Sequence, residues 1–312
     1  MSKFFKALEQ AQRDRQAPRQ PTAPIASANH ASPAPGVGSV PGRTGPAQTE
    51  MPQGVDEHLV SLLAPAAFEA EQYRSLRLTV EQMRKTAGLQ VIGVTSAAVG
   101  DGKTTTAINL AGALAQSPEA RVLVVEADLR RPSVGQLLGL GHPQGPGLVS
   151  AIMDPAIGLE QIVHDRPPFN LALIHPGGTP PSPYEVLRSP RLGELLDEAR
   201  KRFDYIIVDA PPLVPMQDCR VIGRWVDGFL LVVQAHRTPR RLLEESLTVI
   251  DPPKMIGLVF NGDTRPLSSY YSGYYAGYGA SAVAATNGLG GSRLRRAMKK
   301  AGASLRRPGR SR

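Results

Sequence analysis

From about residue 65 to residue 261, short apolar runs alternate with stretches whose apolar residues recur at helical spacing. The apolar runs predict strands at residues 89–95, 170–174, 228–234 and 255–260, and two more that lead into acidic residues near 126 and 209. The stretches between them predict helices at residues 103–116, 191–201, 218–225 and 238–250, after an earlier helix that begins near Pro65. Because strands and helices alternate, we expect one α/β domain with a mainly parallel sheet flanked by helices.

The pattern changes at both ends of the chain. Residues 1–16 predict a short amphipathic helix that could dock on a partner or a membrane surface. Residues 17–57 are rich in Pro and Ala and poor in large apolar groups, which predicts a disordered tether. We therefore expect three regions: residues 1–57 with the short helix and the tether, a folded domain at 58–265, and a disordered segment at 266–312.

The strand at residues 89–95 is followed by a loop of small residues and then by a helix, the context that a phosphate-binding loop requires. Glycines let the backbone curl so that its N–H groups face a phosphate, and the helix N-terminus adds partial positive charge. Lys103 can neutralise the β- and γ-phosphate oxygens, and the Thr104 hydroxyl can bind magnesium. Ala97 replaces the first glycine of the usual pattern, which is a small change. The candidate nucleotide-binding residues here are Gly100, Asp101, Gly102, Lys103, Thr104 and Thr105.

Acidic residues follow two of the predicted strands. Glu126 and Asp128 end one apolar run, and Asp209 ends another. Ligand sites in open parallel sheets lie at the carboxyl ends of the strands, so these carboxylates could converge beside the phosphate loop. Any one of them alone would be read as a solvated turn residue. Together with the loop, they predict a site for ATP and Mg²⁺.

Five of the eight tyrosines fall within nine residues near the C-terminus, with almost no charged or aliphatic neighbours. On a chain without an ATP site, such a segment would be a sticky low-complexity tail. Beside a nucleotide site, exposed phenols are candidate phosphoryl acceptors. The residues concerned are Tyr270, Tyr271, Tyr274, Tyr275 and Tyr278.

These segments resemble, in this order, the Walker A, Walker A′ and Walker B motifs of the bacterial tyrosine kinases of capsule and exopolysaccharide synthesis, in their CpsD/CapB-like cytoplasmic form. The strings Asp128-Leu-Arg-Arg-Pro132 and Asp209-Ala-Pro-Pro212 are close to that family's wording. The tyrosine cluster resembles the family's autophosphorylation site. The resemblance covers roughly residues 66–278 and implies a P-loop NTPase fold of the MinD/ParA type.

The same resemblance assigns roles to individual residues. Lys103, Glu126, Asp128 and Asp209 would be catalytic, with Glu126 as general base, and Thr104, Asp128 and Asp209 would hold the metal. Glu71, Arg74 and Arg77 match the family's E-x-x-R-x-x-R element for subunit contact, although by themselves they could be an ordinary salt-bridged helix face. Asn261 stands where this fold class often contacts adenine; the alternative is a plain turn before Gly262.

Two departures from the family pattern stand out. The A′ motif usually begins with Asp, and Glu126 moves that carboxylate out by one methylene; placement errors of about 1 Å can cost on the order of a hundredfold in rate. The chain also lacks the transmembrane region that some members carry.

The resemblance implies an ATP-dependent tyrosine autokinase that phosphorylates its cluster in trans and regulates polysaccharide polymerisation and export. It implies self-association, a membrane-embedded co-polymerase or chain-length activator, a cognate phosphotyrosine phosphatase, and no specific nucleic acid. Two alternatives remain: a catalytically weak nucleotide-binding scaffold of the polysaccharide machinery, and a MinD/ParA-type positioning ATPase. Ala98 stands where the latter carry a lysine, which counts against them.

Composition adds three constraints. One cysteine, Cys219, excludes a disulfide framework and a four-thiolate metal site, and favours a reducing compartment. No apolar run approaches the ~20 residues that span a bilayer, so we expect a cytoplasmic protein that a partner recruits to the inner face of the cell membrane. The net charge of +9 resides in residues 293–312, which hold nine Lys or Arg and no acid. Such a tail could bind anionic lipid, nucleic acid, an acidic partner or phosphotyrosine, or could simply be a solvated tail.

Overall fold

The computed structural model describes residues 54–141, 145–214 and 217–263. The predicted N-terminal helix, most of the tether, the tyrosine cluster and the basic tail lie outside these residues and stay predictions. Within the predicted tether, however, Val55 packs against the core, and the Asp56 N–H donates to the Leu137 carbonyl oxygen at 2.9 Å. The packed fold therefore begins a few residues before the predicted boundary at residue 58.

The strands of the described residues form a seven-stranded sheet. They are β1 (Val91–Ser96), β2 (Val122–Glu126), β3 (His164–Asp165), β4 (Leu171–Ile174), β5 (Tyr205–Asp209), β6 (Gly228–Gln234) and β7 (Met255–Asn261). Their order across the sheet is β3-β4-β2-β5-β1-β6-β7, and every pair is parallel except β3 with β4. The mainly parallel sheet is confirmed; the two-residue antiparallel edge strand β3 was not predicted.

Helices connect these strands and cover the sheet. They are α1 (Val60–Leu63), α2 (Phe68–Ala87), α3 (Lys103–Ala115), α4 (Val134–Leu137), α5 (Leu148–Met153), α6 (Leu159–Ile162), α7 (Pro183–Arg188), α8 (Pro190–Arg200), α9 (Asp218–Ile222) and α10 (Arg240–Val249), with a 3₁₀ turn at Pro252–Lys254. None of these helices is long and apolar enough to cross a bilayer.

One helix start differs from the sequence prediction. Helix α2 begins at Phe68, three residues after Pro65. The Ala67 N–H donates to the Ala64 carbonyl oxygen at 2.8 Å, which closes a turn with Pro65 at its second position. The fixed φ of proline suits that turn position as well as it suits the first turn of a helix, so the sequence signal was ambiguous.

Alternation along the strands divides the core between the two faces of the sheet. Ile92, Val124 and Ile207 pack on one face with α2, α3 and α4, whose buried residues include Ile108. Val91, Leu123, Ile206 and Leu231 pack on the other face with residues of α5 to α9. Side chains of successive strand residues point to opposite faces, so a strand that is buried on both sides is apolar throughout. This is why these strands appear in the sequence as continuous apolar runs.

The strand order places a potential site at the carboxyl ends of the central strands. Strand β1 lies between β5 and β6, and β5 lies between β1 and β2. Asp209 is in register with Val94 of β1 and with Glu126 of β2. The carboxyl ends of the three strands that carry the predicted motifs are therefore side by side, as expected for an open parallel sheet.

Candidate nucleotide and catalytic site

The loop between β1 and α3 has the curvature of a phosphate-binding loop. Gly100 and Gly102 adopt φ values of 89° and 90°, a region that residues with a side chain rarely occupy. Helix α3 begins immediately after Gly102 with Lys103, and the Thr106 N–H donates to the Gly102 carbonyl oxygen at 2.9 Å. The helix N-terminus is thus directed at the loop, where its partial positive charge favours an anion.

The Lys103 ammonium lies between two buried carboxylates. Its Nζ is 2.8 Å from Asp128 Oδ2 and 3.3 Å from Asp209 Oδ1. Burial alone would lower the pKa of Lys103, but the charges of Asp209 and Asp128 outweigh it and raise that pKa. Burial raises the pKa of Asp209 to about 6, in spite of Lys103 and the Thr104 hydroxyl. Lys103 thus faces two acidic side chains at once.

The hydroxyl of Thr104 is part of the same cluster. It donates to Asp209 Oδ2 at 2.8 Å and lies 3.3 Å from the Ser133 Oγ. These are hard oxygen donors of the kind that Mg²⁺ prefers. No group of three or more His, Cys, Asp or Glu side chains among the described residues is arranged to hold a metal on its own. Mg²⁺ in phosphate sites usually takes only one or two protein carboxylates and completes its shell with phosphate oxygens and water, so the donors present fit that mode.

Glu126 is placed differently from the other acids. Its side chain is buried, and its Oε1 accepts the backbone N–H groups of Ser133 and of Val134, the latter at 2.6 Å. Burial raises the pKa of Glu126 to about 7, and Asp209 adds to this, although the backbone N–H groups of the turn act in the opposite direction. The Glu126 carboxylate therefore anchors the turn that follows β2.

A cavity of about 510 Å³ opens over this cluster. Its lining includes Gly100, Gly102, Lys103, Thr104, Thr105, Asp128, Arg130, Arg131, Ser133 and Pro211. Glu126, Asp209 and Asn261 are not among the lining residues, and Asp209 is fully buried beneath Lys103 and Thr104. Another cavity, of about 550 Å³, lies at the amino ends of the strands around Trp225, Arg200 and Lys254, and it contains none of the predicted site residues. The chemistry-bearing groups thus identify the first cavity as the candidate site.

An ion pair that the sequence did not suggest joins two walls of the site. Arg130 Nε and Nη2 donate to Asp218 Oδ2 and Oδ1 at 2.6 and 3.2 Å, a bidentate contact. Asp218 is 1% exposed. Arg130 belongs to the turn after β2, and Asp218 begins α9, beyond the loop that follows β5. An acid at the start of a short helix carries no sequence signal of burial, so this pair became visible only in the structure.

Asn261, the predicted adenine contact, lies at the phosphate loop. Its Nδ2 donates to the Asp101 carbonyl oxygen at 3.0 Å, and a Cβ on Gly102 would come within 2.0 Å of that nitrogen. The contact with adenine stays a prediction.

The predicted subunit-contact residues lie on α2, outside this cluster. Glu71 and Arg74 form an ion pair with each other, with 36% and 39% of the side chains exposed. Arg77 is bound within the subunit, since its Nη1 donates to the Ala113 carbonyl oxygen at 2.8 Å and its Nε donates to Glu81. Glu71 and Arg74 thus remain accessible to a neighbour, whereas Arg77 also ties α2 to α3.

Known proteins resemble the chain in sequence. The tyrosine-protein kinase YwqD of Bacillus subtilis is 31% identical over 219 residues, which cover 70% of this chain and 91% of YwqD. This chain belongs to the bacterial tyrosine kinases. The succinoglycan biosynthesis transport protein ExoP of Rhizobium meliloti is 33% identical over 213 residues, which cover 66% of the kinase and only 27% of ExoP. No model of a protein family matches the kinase.

The fold agrees with the sequence relationship. The kinase domain of the Escherichia coli tyrosine kinase ETK superposes with a TM-score of 0.61 at 27% sequence identity, over 68% of this kinase and 83% of that chain. The predicted P-loop fold and the kinase family are therefore confirmed. The roles of individual site residues stay predictions, which the geometry above makes more specific.

Proposed function

We propose that this kinase uses ATP and Mg²⁺ to phosphorylate the tyrosine cluster at residues 270–278 of a neighbouring copy, and thereby regulates polymerisation and export of an exopolysaccharide or capsule. The observation that carries the proposal is that Lys103, Thr104 and Asp128 line one cavity at the phosphate loop, while the buried Asp209 contacts both Lys103 and Thr104 from behind them. Phosphoryl transfer depends mainly on positioning and charge neutralisation, so a few such groups suffice.

Nucleotide binding would rearrange the charges of the cluster. Lys103 pairs with Asp128 and Asp209. In the complex its ammonium would turn to the β- and γ-phosphate oxygens, which leaves both carboxylates free to accept a cation. Thr104, Asp128 and Asp209 would then hold magnesium, which would supply charge neutralisation for the β- and γ-phosphates. The backbone N–H groups around Gly100 and Gly102 would bind the β-phosphate.

A base must accept the proton of the attacking phenol, and we assign this role to Glu126. The assignment rests on its position as first acid of the A′ motif and on its place beside Asp209 in the sheet. To reach the phenol, the carboxylate must exchange its present partners, the N–H groups of Ser133 and Val134, for the substrate hydroxyl. Catalytic contacts are often incomplete without substrate, so this geometry is compatible with the role.

The length of the segment before the acceptor tyrosines limits how far away the accepting site can lie. Strand β7 ends at Asn261 beside the phosphate loop, and Tyr270 follows nine residues later. A span of nine residues reaches at most ~30 Å, and the seventeen residues to Tyr278 reach at most ~60 Å, so the accepting site must lie within such a distance of this exit. A neighbour docked through Glu71 and Arg74 would have to present its cavity within that distance.

Partners outside the chain follow from the relatives. ExoP is named as a transport protein of succinoglycan biosynthesis, and this kinase covers only 27% of it. We propose that a membrane-embedded co-polymerase supplies what ExoP carries in its remaining length, and that it recruits the cytoplasmic kinase to the inner face of the membrane. A phosphotyrosine phosphatase would reset the cluster.

A second candidate is a catalytically weak nucleotide-binding scaffold. The observation in its favour is that Glu126 is held by two backbone N–H groups and does not line the cavity. In that case the chain would bind nucleotide with little transfer to tyrosine.

Phosphotyrosine mapping on purified protein incubated with Mg-ATP tests the proposal. The variant Lys103→Met should abolish the signal on residues 270–278, because the β- and γ-phosphates lose their cation. The matched control is Lys201→Met, which removes an exposed lysine at the end of α8 and should leave the signal unchanged. Signal that survives Lys103→Met, or that maps mainly to Tyr184 or Tyr205, would refute the kinase mechanism. Nucleotide binding without any phosphotyrosine would favour the scaffold.

A further inference from the structure

The phosphate loop is bonded to two segments that lie more than a hundred residues further along the chain. Asp101, in the middle of the loop, is 3% exposed. Its Oδ1 accepts the hydroxyl proton of Thr238 at 2.7 Å, and its Oδ2 accepts the Ala98 N–H at 2.9 Å. The carboxylate therefore joins the first part of the loop to the segment between β6 and α10.

Chemistry fixes the direction of these hydrogen bonds. A carboxylate only accepts, so the single hydroxyl proton of Thr238 is committed to Asp101. The lone pairs of the same oxygen accept the Gln234 N–H at 3.0 Å. Thr238 thus ties the last residue of β6 to Asp101, because its hydroxyl accepts from Gln234 and donates to Asp101.

A second contact reaches the loop from β7. Asn261 Nδ2 donates to the Asp101 carbonyl oxygen at 3.0 Å and packs where a side chain on Gly102 would stand. Asp101 is therefore held twice: Thr238 binds its side chain, and Asn261 binds its backbone carbonyl oxygen. Both hydrogen bonds fix the part of the backbone that must curl around the β-phosphate.

We propose that Thr238, supported by Asn261, is a positioning residue of this kinase: through Asp101 it keeps the phosphate loop in its nucleotide-binding curvature. Thr238 is not part of the cavity lining and acts on the nucleotide only through the loop. The inference rests on the proposed nucleotide site. Loop contacts to the β-phosphate are made in the ground state and in the transition state alike, so their loss should raise KM for ATP more than it lowers kcat.

The test uses full-length kinase and a fluorescent ADP analogue. Thr238→Val keeps the shape of the side chain and removes the hydroxyl. We expect the dissociation constant to rise about tenfold, equivalent to ~1.4 kcal/mol, with a similar rise in KM for ATP and less than a threefold fall in kcat. Thr238→Ser restores the donor and should return the dissociation constant to within about twofold of wild type.

A matched control comes from α10. Thr248 is exposed, and its hydroxyl donates to the Glu245 carbonyl oxygen within the helix, so Thr248→Val should leave nucleotide affinity unchanged. If Thr238→Val binds the analogue as wild type does, or if Thr238→Ser binds as weakly as Thr238→Val, the proposal is wrong. If wild-type kinase itself binds no nucleotide, the proposed function fails instead.

A second variant covers the case in which Thr238→Val does not fold. Asn261→Leu removes the other donor to Asp101 at similar size and adds no charge beside the phosphates. Competition by inorganic pyrophosphate separates the loop from any adenine contact, because pyrophosphate has no base. We expect Asn261→Leu to weaken pyrophosphate as well as ADP; unchanged pyrophosphate affinity would contradict a role of these contacts in shaping the loop.

Discussion

The Arg130–Asp218 ion pair allows a quantitative prediction about the walls of the site. Removing one partner of a buried pair typically costs about 3–5 kcal/mol, because the remaining charge is left without compensation. Asp218 is 1% exposed, but the Arg130 side chain is 39% exposed, so water can enter when the guanidinium is removed. We therefore expect Arg130→Ala to lower the free energy of unfolding by about 2 kcal/mol.

Removing the acidic partner should lower the free energy of unfolding by less. Asp218→Asn leaves the Arg130 guanidinium, which solvent can reach, and we expect a loss of about 1 kcal/mol. The double variant should lose about 2 kcal/mol and not the sum of about 3, since both single changes break the same contact. Denaturant unfolding of the four proteins gives this cycle. In a thermal melt, Arg130→Ala corresponds to a fall of about 4–8 °C for a domain of this size.

An exposed ion pair on α10 serves as the control for this cycle. Arg240→Ala breaks the exposed ion pair with Glu244, in which the arginine is 86% exposed, and should change stability by less than about 0.5 kcal/mol. Asp128 lies two residues before Arg130 in the same turn, so we also expect Arg130→Ala to slow autophosphorylation about tenfold. The view that this pair holds the two walls together would be refuted if the double variant lost the sum of the two single losses in free energy of unfolding. It would also be refuted if Arg130→Ala were as stable as Arg240→Ala.

The remaining predictions concern the base, the subunit contact and the acid limit of stability. Glu126→Gln should lower autophosphorylation more than tenfold while the affinity for ADP stays within about twofold, whereas Glu126→Asp should be as active as wild type or more so; a Glu126→Gln variant at the wild-type rate would transfer the role to another acid. Arg74→Ala should shrink the assembly seen by light scattering of unphosphorylated kinase with Mg-ADP and slow phosphorylation between copies. It is a cleaner probe than Arg77→Ala, which also breaks a bond to α3; an assembly of unchanged size would exclude the contact. Burial would raise the pKa of Asp227, but Arg200 and two backbone N–H groups outweigh it and lower that pKa. Its contribution is therefore present above the unfolded value near 3.8 and lost as pH falls below it, so Asp227→Asn should flatten the fall in melting temperature between about pH 5 and pH 3.

The sequence predicted the features that follow from periodicity. Strands buried on both faces must be apolar throughout, so their runs revealed a parallel sheet, and a parallel sheet brings the acids at its strand ends together. Asp128 and Asp209 therefore met Lys103 where expected. The starts of helices were predicted less accurately, as at Pro65, because the φ angle of proline fits both a turn and the first turn of a helix.

Contacts between distant polar side chains could not be predicted in this way. Asp218 and Thr238 stand in segments whose pattern predicts only a short helix and a helix start, and their partners are distant in the chain. A hydrogen bond between such residues depends on how the loops pack together at the carboxyl ends of the strands. The place of Glu126 in the motif was evident from the sequence. Its hydrogen bonds with the N–H groups of Ser133 and Val134 were not, because they depend on the path of the turn after β2.

Phosphorylation between copies is the central claim, and a mixing experiment tests it most directly. One partner is a kinase with an intact phosphate loop whose tyrosines at 270, 271, 274, 275 and 278 are all replaced by Phe. The other is the Lys103→Met variant, which keeps the tyrosines. With Mg-ATP, we predict phosphotyrosine within residues 270–278 of the Lys103→Met chain in the mixture and none in either protein alone. Wild-type kinase that labels its own cluster while the mixture stays unlabelled would contradict transfer between copies.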